Sequence, residues 1–381
     1  MPTEQLAIGL MSGTSLDGAD AVLARFSDAG PPVLLGHCHA PFEAPLRDAL
    51  MALQRPGEDE LHRAALAANA LADHYGKLVE RLLTESGIER GAVHAIGAHG
   101  QTVRHRPELG YTVQLNAPAR LAEATSIPVV ADFRSGDVAA GGHGAPLVPA
   151  FHAAVFGDEA RWRAVLNLGG IANLTELPPA QSGLPVRGWD CGPGNVLLDG
   201  WAARHARGNF DAAGAWAGSG AVHAGLLAEL ASEPWLLGVP PKSTGRDLFN
   251  AEWLASRLVD FAQLAPADVQ STLAQFTAQC VAASVAGNMG AIEELVVCGG
   301  GVKNADLLER LDRALADHLG RSVTLTSSAH FGILPEQVEA LAFAWLALRR
   351  LAGEAGNLPA VTGARGPRLL GAEYRKTGSP P

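Results

Sequence analysis

Residues 8–26, IGLMSGTSLDGADAVLARF, set Gly9, Gly13 and Gly18 among the hydroxyls of Ser12, Thr14 and Ser15 and the carboxylates of Asp17 and Asp20, between two apolar runs. Glycine permits close backbone approach, so successive N–H groups can converge on an anion, and hydroxyls add donors. A carboxylate such as Asp17 can hold a hydrated Mg2+ that offsets phosphate charge. A second glycine turn, Gly169-Gly170, leads to Asn173 in NLGGIANLT. A third cluster, LVVCGGGVKNADLLERL, sets Gly299, Gly300, Gly301 and Asn304 between an apolar stretch and a helical pattern, the arrangement of a nucleotide loop at the carboxyl end of a strand. Any one of these turns alone reads equally well as a ligand-free turn. Together they point to a polyphosphate. No G-x-x-x-x-G-K-[ST] occurs, and Asn304 stands where a dinucleotide fingerprint ends in glycine, so both of those classes are set aside.

Asp190 follows an apolar stretch and precedes Gly192-Pro193-Gly194, a turn and helix start that would hold its carboxylate rigidly, as a helix cap or with a further role that can hold at the same time. Gln101 and Thr102, with Arg104, His105 and Arg106, follow another apolar stretch and could present donors and acceptors at its end. In ADFRSGDVAAGGHG, Arg134 can fork onto a substrate carboxylate or hydroxyls, or close its loop against a neighbouring Asp. Glu336 and Glu339 fall on one helical face, Glu336 being explained by the helix dipole. The role of PKSTGRDLFN, residues 241–250, stays open. His99, His105 and His143 lack a metal-binding spacing, which sets zinc aside.

These groups need a scaffold. A length of 381 residues favours two domains, and 18% charged with 48% hydrophobic residues describes a globular chain rather than a disordered one. No apolar run reaches the roughly 18 residues of a membrane span, and no signal peptide is read at the start, so a cytoplasmic protein is expected. Four scattered cysteines argue for reduced thiols. A net charge of −10 without a basic cluster disfavours nucleic-acid binding.

Apolar patterning predicts strands at 5–11, 19–26, 32–39, 92–98, 111–115 and 129–133, with helices at 60–86 and 119–125. A second series follows: strands at 163–168, 171–177 and 186–189, then helices at 195–205, 221–232, 250–261, 266–287 and 305–318, strands at 295–298 and 323–326, and a last helix from Pro335 to Leu351. The tail from Thr377 is expected to fray. Two glycine-turned hairpins, each followed by a third strand, recur about 155 residues apart, which implies duplicated α/β halves facing each other across a cleft. The boundaries expected are 1–133 plus 352–381 for the first domain and 134–351 for the second.

The order of these loops resembles the acetate and sugar kinase, actin and heat-shock chaperone ATPase superfamily. Within it, GLMSGTSLDG, GAHGQTVRHRP, VVADFRSGDVAAGGHGAPLVP, NLGGIANLT, WDCGPGN and STGRDLFN resemble the anhydro-N-acetylmuramic acid kinase family. The resemblance implies an α/β fold of two actin-like ATPase (ribonuclease H-like) domains, with mixed sheets flanked by helices and an interdomain cleft. It implies use of ATP and Mg2+ to open the 1,6-anhydro ring of 1,6-anhydro-N-acetylmuramic acid with water and phosphorylate O6 during cell-wall recycling. Asp190 then corresponds to the base and, with Ser12, Gln101, Arg134 and Glu339, to the sugar contacts; Gly13, Thr14, Ser15, Asp17, Gly18, Asp20, Gly169, Gly170, Asn173, Gly299, Gly300, Gly301 and Asn304 correspond to the nucleotide site, with Asp17 toward the metal. Glu339 is preferred to Glu336 because the family motif ends in Glu-Ala there. Oligomeric state stays open, a homodimer included. Two rivals remain: a nucleotide-gated chaperone or filament subunit, and an ATP-independent glycosidase using Asp190 with Glu339.

Overall fold

The computed structural model describes residues 4–13, 16–27, 30–289 and 291–376. The chain forms two compact units, residues 1–155 with 337–381, and residues 156–336.

In the first unit, β1 (Gln5–Met11), β2 (Gly18–Ser27) and β3 (Gly30–Pro41) form an antiparallel meander. Then β4 (Val93–Ala98) adds parallel to β1, while β5 (Gln101–Arg106) and β6 (Tyr111–Leu115) pair as a separate hairpin. Finally β7 (Val129–Ala131) lies parallel to β4. In the second unit, β8 (Arg163–Leu168), β9 (Ile171–Leu177) and β10 (Arg187–Pro193) repeat the meander; β11 (Glu294–Cys298) adds parallel to β8, and β12 (Thr324–Ser327) parallel to β11. A short β13 (Ala372–Tyr374) closes the first sheet.

The sheet orders are therefore β13-β7-β4-β1-β2-β3 and β10-β9-β8-β11-β12. Apart from β13, both read third-second-first-fourth-fifth, with the same senses of pairing. This is the ribonuclease H-like order of the actin-like ATPase fold, present twice.

The helix Glu60–Ser86 packs Leu71, Tyr75, Leu78 and Leu82 into the first core at helical spacing and stops at Gly87, whose φ of +66° suits glycine. The helix Val338–Leu351 covers the other face. It approaches so closely that a Cβ at Gly9 would lie 1.8 Å from the Ala340 carbonyl oxygen, and one at Gly97 would lie 1.9 Å from that of Phe343. Glycine at both strand positions lets helix backbone rest on sheet backbone. This contact also moves the division of the chain. The helix expected in the second domain belongs to the first, and the breaks fall at 155/156 and 336/337 rather than at 133/134 and 351/352.

In the second unit, the helix Pro266–Asn288 is buried along most of its length, the polar Gln270, Ser271, Thr272 and Thr277 included, and lies in the core against β10 and the helix Ala305–Leu319. Among the described residues, no helix is long and apolar enough to cross a membrane.

Candidate active site

Asp190 lies inside β10, which runs on to Pro193 rather than ending at Trp189. The pairing with β9 slips between Asp190 and Gly192, so Cys191 bulges out of register. The next helix begins at Val196 after Asn195, so Asp190 caps nothing and the helix-cap alternative falls away.

Both hydrogen bonds to the Asp190 carboxylate arrive at Oδ2, from the Thr244 N–H at 2.9 Å and the Ser243 hydroxyl at 3.0 Å. Its own N–H donates to the Lys242 carbonyl at 3.1 Å. Burial pushes the carboxyl up to about 6, against the lowering pull of Thr244, Ser243 and the Lys242 charge. A carboxylate with that value is ionised at neutral pH yet basic enough to take a proton from water. Ser243 and Thr244 belong to the stretch whose role the sequence left open. Their partner is 53 and 54 residues away, and no local pattern signals such a contact.

The glycine turns divide by steric cause. A Cβ at Gly18 would meet the Ala40 carbonyl oxygen at 2.4 Å, one at Gly299 the Asn167 Oδ1 at 2.4 Å, and one at Gly301 the Leu168 Cβ at 2.6 Å. Internal packing accounts for these. At Gly169 and Gly170 the nearest atoms would be 3.5 Å and 3.9 Å away, and at Gly300 nothing lies within 4 Å. No positive φ requires glycine at those three positions either. What glycine provides there is open backbone, the condition for a phosphate chain to approach N–H groups.

The 169–170 turn is pinned from behind. Gly194 N–H and Val196 N–H donate to the Gly170 carbonyl at 2.9 and 3.0 Å, and Asn195 donates its N–H and Nδ2 to the Gly169 carbonyl at 2.9 and 3.1 Å. Residues 190 and 194–196 therefore join the base and the glycine turn in one motif, a link the sequence reading missed. Asn173 sits opposite Asp190 in the β9–β10 register. Asn304 caps the helix Ala305–Leu319 by accepting from Leu307 N–H at 3.0 Å, which accounts for its side chain locally.

In the first unit, Thr14 and Ser15 lie outside the described residues, as does the tail from Thr377. Gly13 accepts from Gln101 Nε2 at 3.2 Å. Gln101, which opens β5 rather than a loop, is buried, and its acceptor Oε1 has no hydrogen-bond partner among the described residues. An unmet buried acceptor costs about 1–3 kcal/mol and is satisfied by a hydroxyl donor. Ser12 is buried, donating to the Gly100 carbonyl at 3.2 Å beside the Tyr75 hydroxyl at 3.1 Å. Asp17 is exposed. Asp20 Oδ1 lies 3.0 Å from His37 Nε2 and 3.2 Å from His39 Nδ1.

Arg134 donates to the Gly144 carbonyl at 2.7 Å and to His99 Nε2. Burial lowers its pKa to about 10, with Glu339 and Asp137 opposing that. Glu339 stands near enough for its carboxyl to feel Arg134 and Asp20, and burial raises it. The loop holding Arg134 is fixed by Asp137, fully buried, which accepts from Gly144 N–H at 2.8 Å, Asn357 Nδ2 at 2.6 Å and Thr362 Oγ1 at 2.7 Å. Arg104 and His105 instead serve the fold: Arg104 pairs with Glu60 at 2.6 Å, and His105 Nδ1 lies 3.0 Å from Thr112 Oγ1.

A family model described as anhydro-N-acetylmuramic acid kinase matches residues 5–376. The chain is 54% identical to an anhydro-N-acetylmuramic acid kinase of Burkholderia cenocepacia, covering 98% of this chain and 97% of the other. It is 53% identical to one of Paraburkholderia xenovorans, covering 98% of each. Among solved structures, it is similar to a ROK family glucokinase from Streptomyces griseus with a TM-score of 0.41 and 14% identity, over 90% of this chain and 98% of that one. A family match and sequence identity of that extent, over the motifs that carry Asp190, Arg134 and the glycine turns, make this chain a member of the anhydro-N-acetylmuramic acid kinase family, a sugar kinase.

Proposed function

We propose that the enzyme opens the 1,6-anhydro ring of 1,6-anhydro-N-acetylmuramic acid with water and phosphorylates O6, yielding N-acetylmuramic acid 6-phosphate in cytoplasmic cell-wall recycling. The observation that carries this reading is Asp190, with one carboxylate oxygen held by Ser243 and Thr244 and a pKa raised to about 6. A kinase acting on a free hydroxyl needs only to remove that hydroxyl's proton. An anhydro sugar has no free O6, so a base must first activate water.

Asp190 takes a proton from the water whose oxygen bonds to C1, and the C1–O6 bond breaks. O6 is thereby freed as the acceptor, and Asp190 later returns its proton to solvent. ATP with Mg2+ supplies the γ-phosphoryl group and leaves as ADP. The open backbone at Gly169, Gly170 and Gly300 fits that polyanion. Gly13 to Asp20, Asn173 and the adenosine-side Gly299, Gly301 and Asn304 complete the proposed nucleotide contacts, with Asp17 toward the metal. Arg134, held rigid on His99 and Gly144, has the charge and fork for the lactyl carboxylate. Ser12, Gln101 and Glu339 are assigned to the sugar hydroxyls, Gln101 through its unmet acceptor.

The test is ADP release with ATP and Mg2+, with and without the anhydro sugar, and the mass of the product. Sugar-dependent ADP with a product gaining one water and one phosphoryl group supports the reading. Slow ADP release indifferent to sugar would indicate a nucleotide-gated binding protein, and ring opening without ATP a glycosidase.

A further inference from the structure

We infer that the segment Lys242-Ser243-Thr244 is a positioning strap for the Asp190 carboxylate, holding Oδ2 so that Oδ1 alone faces the reacting water. The inference deepens the role proposed for Asp190 and rests on it. The strap is fastened to the strand by the Asp190 N–H to Lys242 carbonyl bond, 3.1 Å, and to the carboxylate by the two donors at Oδ2. Oδ1 has no hydrogen-bond partner among the described residues, although both donors converge on its twin.

The strap is also hooked from its far side. Trp235 Nε1 donates to the Ser243 carbonyl at 3.1 Å, and Lys242 Nζ donates to the Leu236 carbonyl at 2.9 Å while lying 4.4 Å from the Trp235 ring centroid. Trp235 is in turn fixed through Glu233, which accepts from the Trp235 N–H at 3.3 Å, from Trp253 Nε1 at 2.9 Å and from Arg257 at 3.0 Å. A chain of bonds thus runs from the helix Ala251–Arg257 to one oxygen of the base. A loop merely covering the strand would have no need to spend a hydroxyl and an N–H on that oxygen.

Two donors at one oxygen restrict carboxylate rotation and favour the ionised form. Among the described residues, Lys242 on the strap and Cys191 on its own strand are the other titratable groups beside Asp190, and Cys280 on the helix Pro266–Asn288 stands next to those two. The two thiols are pushed up by burial, to about 12 for Cys280 and further for Cys191, and stay neutral at working pH, which leaves Lys242 as the only charge beside the carboxylate among the described residues.

The experiment is Ser243→Ala, with Ser243→Thr as the conservative control, read as the pH dependence of kcat/KM and as the carboxyl carbon NMR titration of Asp190 in the substrate-free full chain. Loss of the hydroxyl should move both upward by about 0.5 to 1 pH unit, lower kcat more than it raises KM for the sugar, and be reversed by Ser243→Thr. Should Ser243→Ala fail to fold, Trp235→Phe, which removes the N–H hook on Ser243 and reduces the ring beside Lys242, is expected to shift both in the same direction. An Asp190 titration unmoved in the variant that folds overturns the strap. An NMR titration that moves while the kinetic limb does not upholds the strap and instead removes Asp190 as the base.

Discussion

Arg134 donates both Nε, at 3.1 Å, and Nη2, at 2.9 Å, to the same atom, Nε2 of His99. An imidazole nitrogen that accepts twice from a guanidinium carries no proton, so His99 is neutral with its proton on Nδ1. Burial and the Arg134 charge both hold its pKa well below the ordinary histidine value. The hydrogen-bonded anchor of the arginine is thus neutral, while the carboxylates of Glu339 and Asp137 act on it through their charge and oppose the lowering by burial.

That relationship fixes a pH dependence of stability. A histidine whose folded pKa is depressed binds fewer protons folded than unfolded, so its stabilising contribution is complete above about 6.5 and is lost as pH falls below that value. His152, buried and lowered to about 3, has the same sign. From pH 7.5 to 5 the wild-type thermal midpoint is expected to fall relative to that of His99→Gln, which retains an acceptor without a titrating group; Asp190, whose titration has the opposite sign, is common to both proteins and cancels in the comparison. A wild-type midpoint that does not fall relative to that variant would refute this.

The two kinds of glycine make opposite predictions. Gly97→Ala drives a methyl into the Phe343 carbonyl and should cost several kcal/mol, enough to leave the protein insoluble or to lower its melting temperature by about 5 °C or more. Gly169→Ala meets no atom closer than 3.5 Å, so melting should stay within about 2 °C of wild type while nucleotide affinity falls at least about tenfold. Calorimetry and nucleotide titration on the two variants check both halves. Loss of stability in Gly169→Ala would mean that its backbone serves the fold.

How far the sequence revealed this arrangement depended on whether a feature is local. The helix Glu60–Ser86 was legible because its apolar period and the stop at Gly87 lie within one stretch. The duplicated meanders were legible because each turns on its own glycines. The strand Gln101–Arg106 was not, since its inward residues include a buried glutamine and hydropathy alternation counts that as polar. Gly192 and Pro193 signalled a stop after Trp189, yet the strand passes through them on a bulge. The placement of the helix Val338–Leu351 on β1 and β4, and of Ser243 on Asp190, rests on contacts distant in sequence that leave no periodic trace.

Asp190 itself should be a stability liability. A carboxyl whose folded pKa is raised to about 6 binds more protons folded than unfolded, so its contribution is complete below about 3.9 and is lost as pH rises through about 6. Asp190→Asn removes that titration, so its melting temperature relative to wild type should rise between pH 5 and pH 8, by an amount equivalent to about 1–3 kcal/mol. A difference that is flat or falls over this range would contradict the raised value.

The central claim is that Asp190 activates water, and the most direct measurement is steady-state turnover of Asp190→Asn on the anhydro sugar, paired with its nucleotide dissociation constant. The account predicts a loss of at least about 10²-fold in kcat with nucleotide affinity within about threefold of wild type. Turnover near the wild-type rate in a correctly folded variant would contradict it.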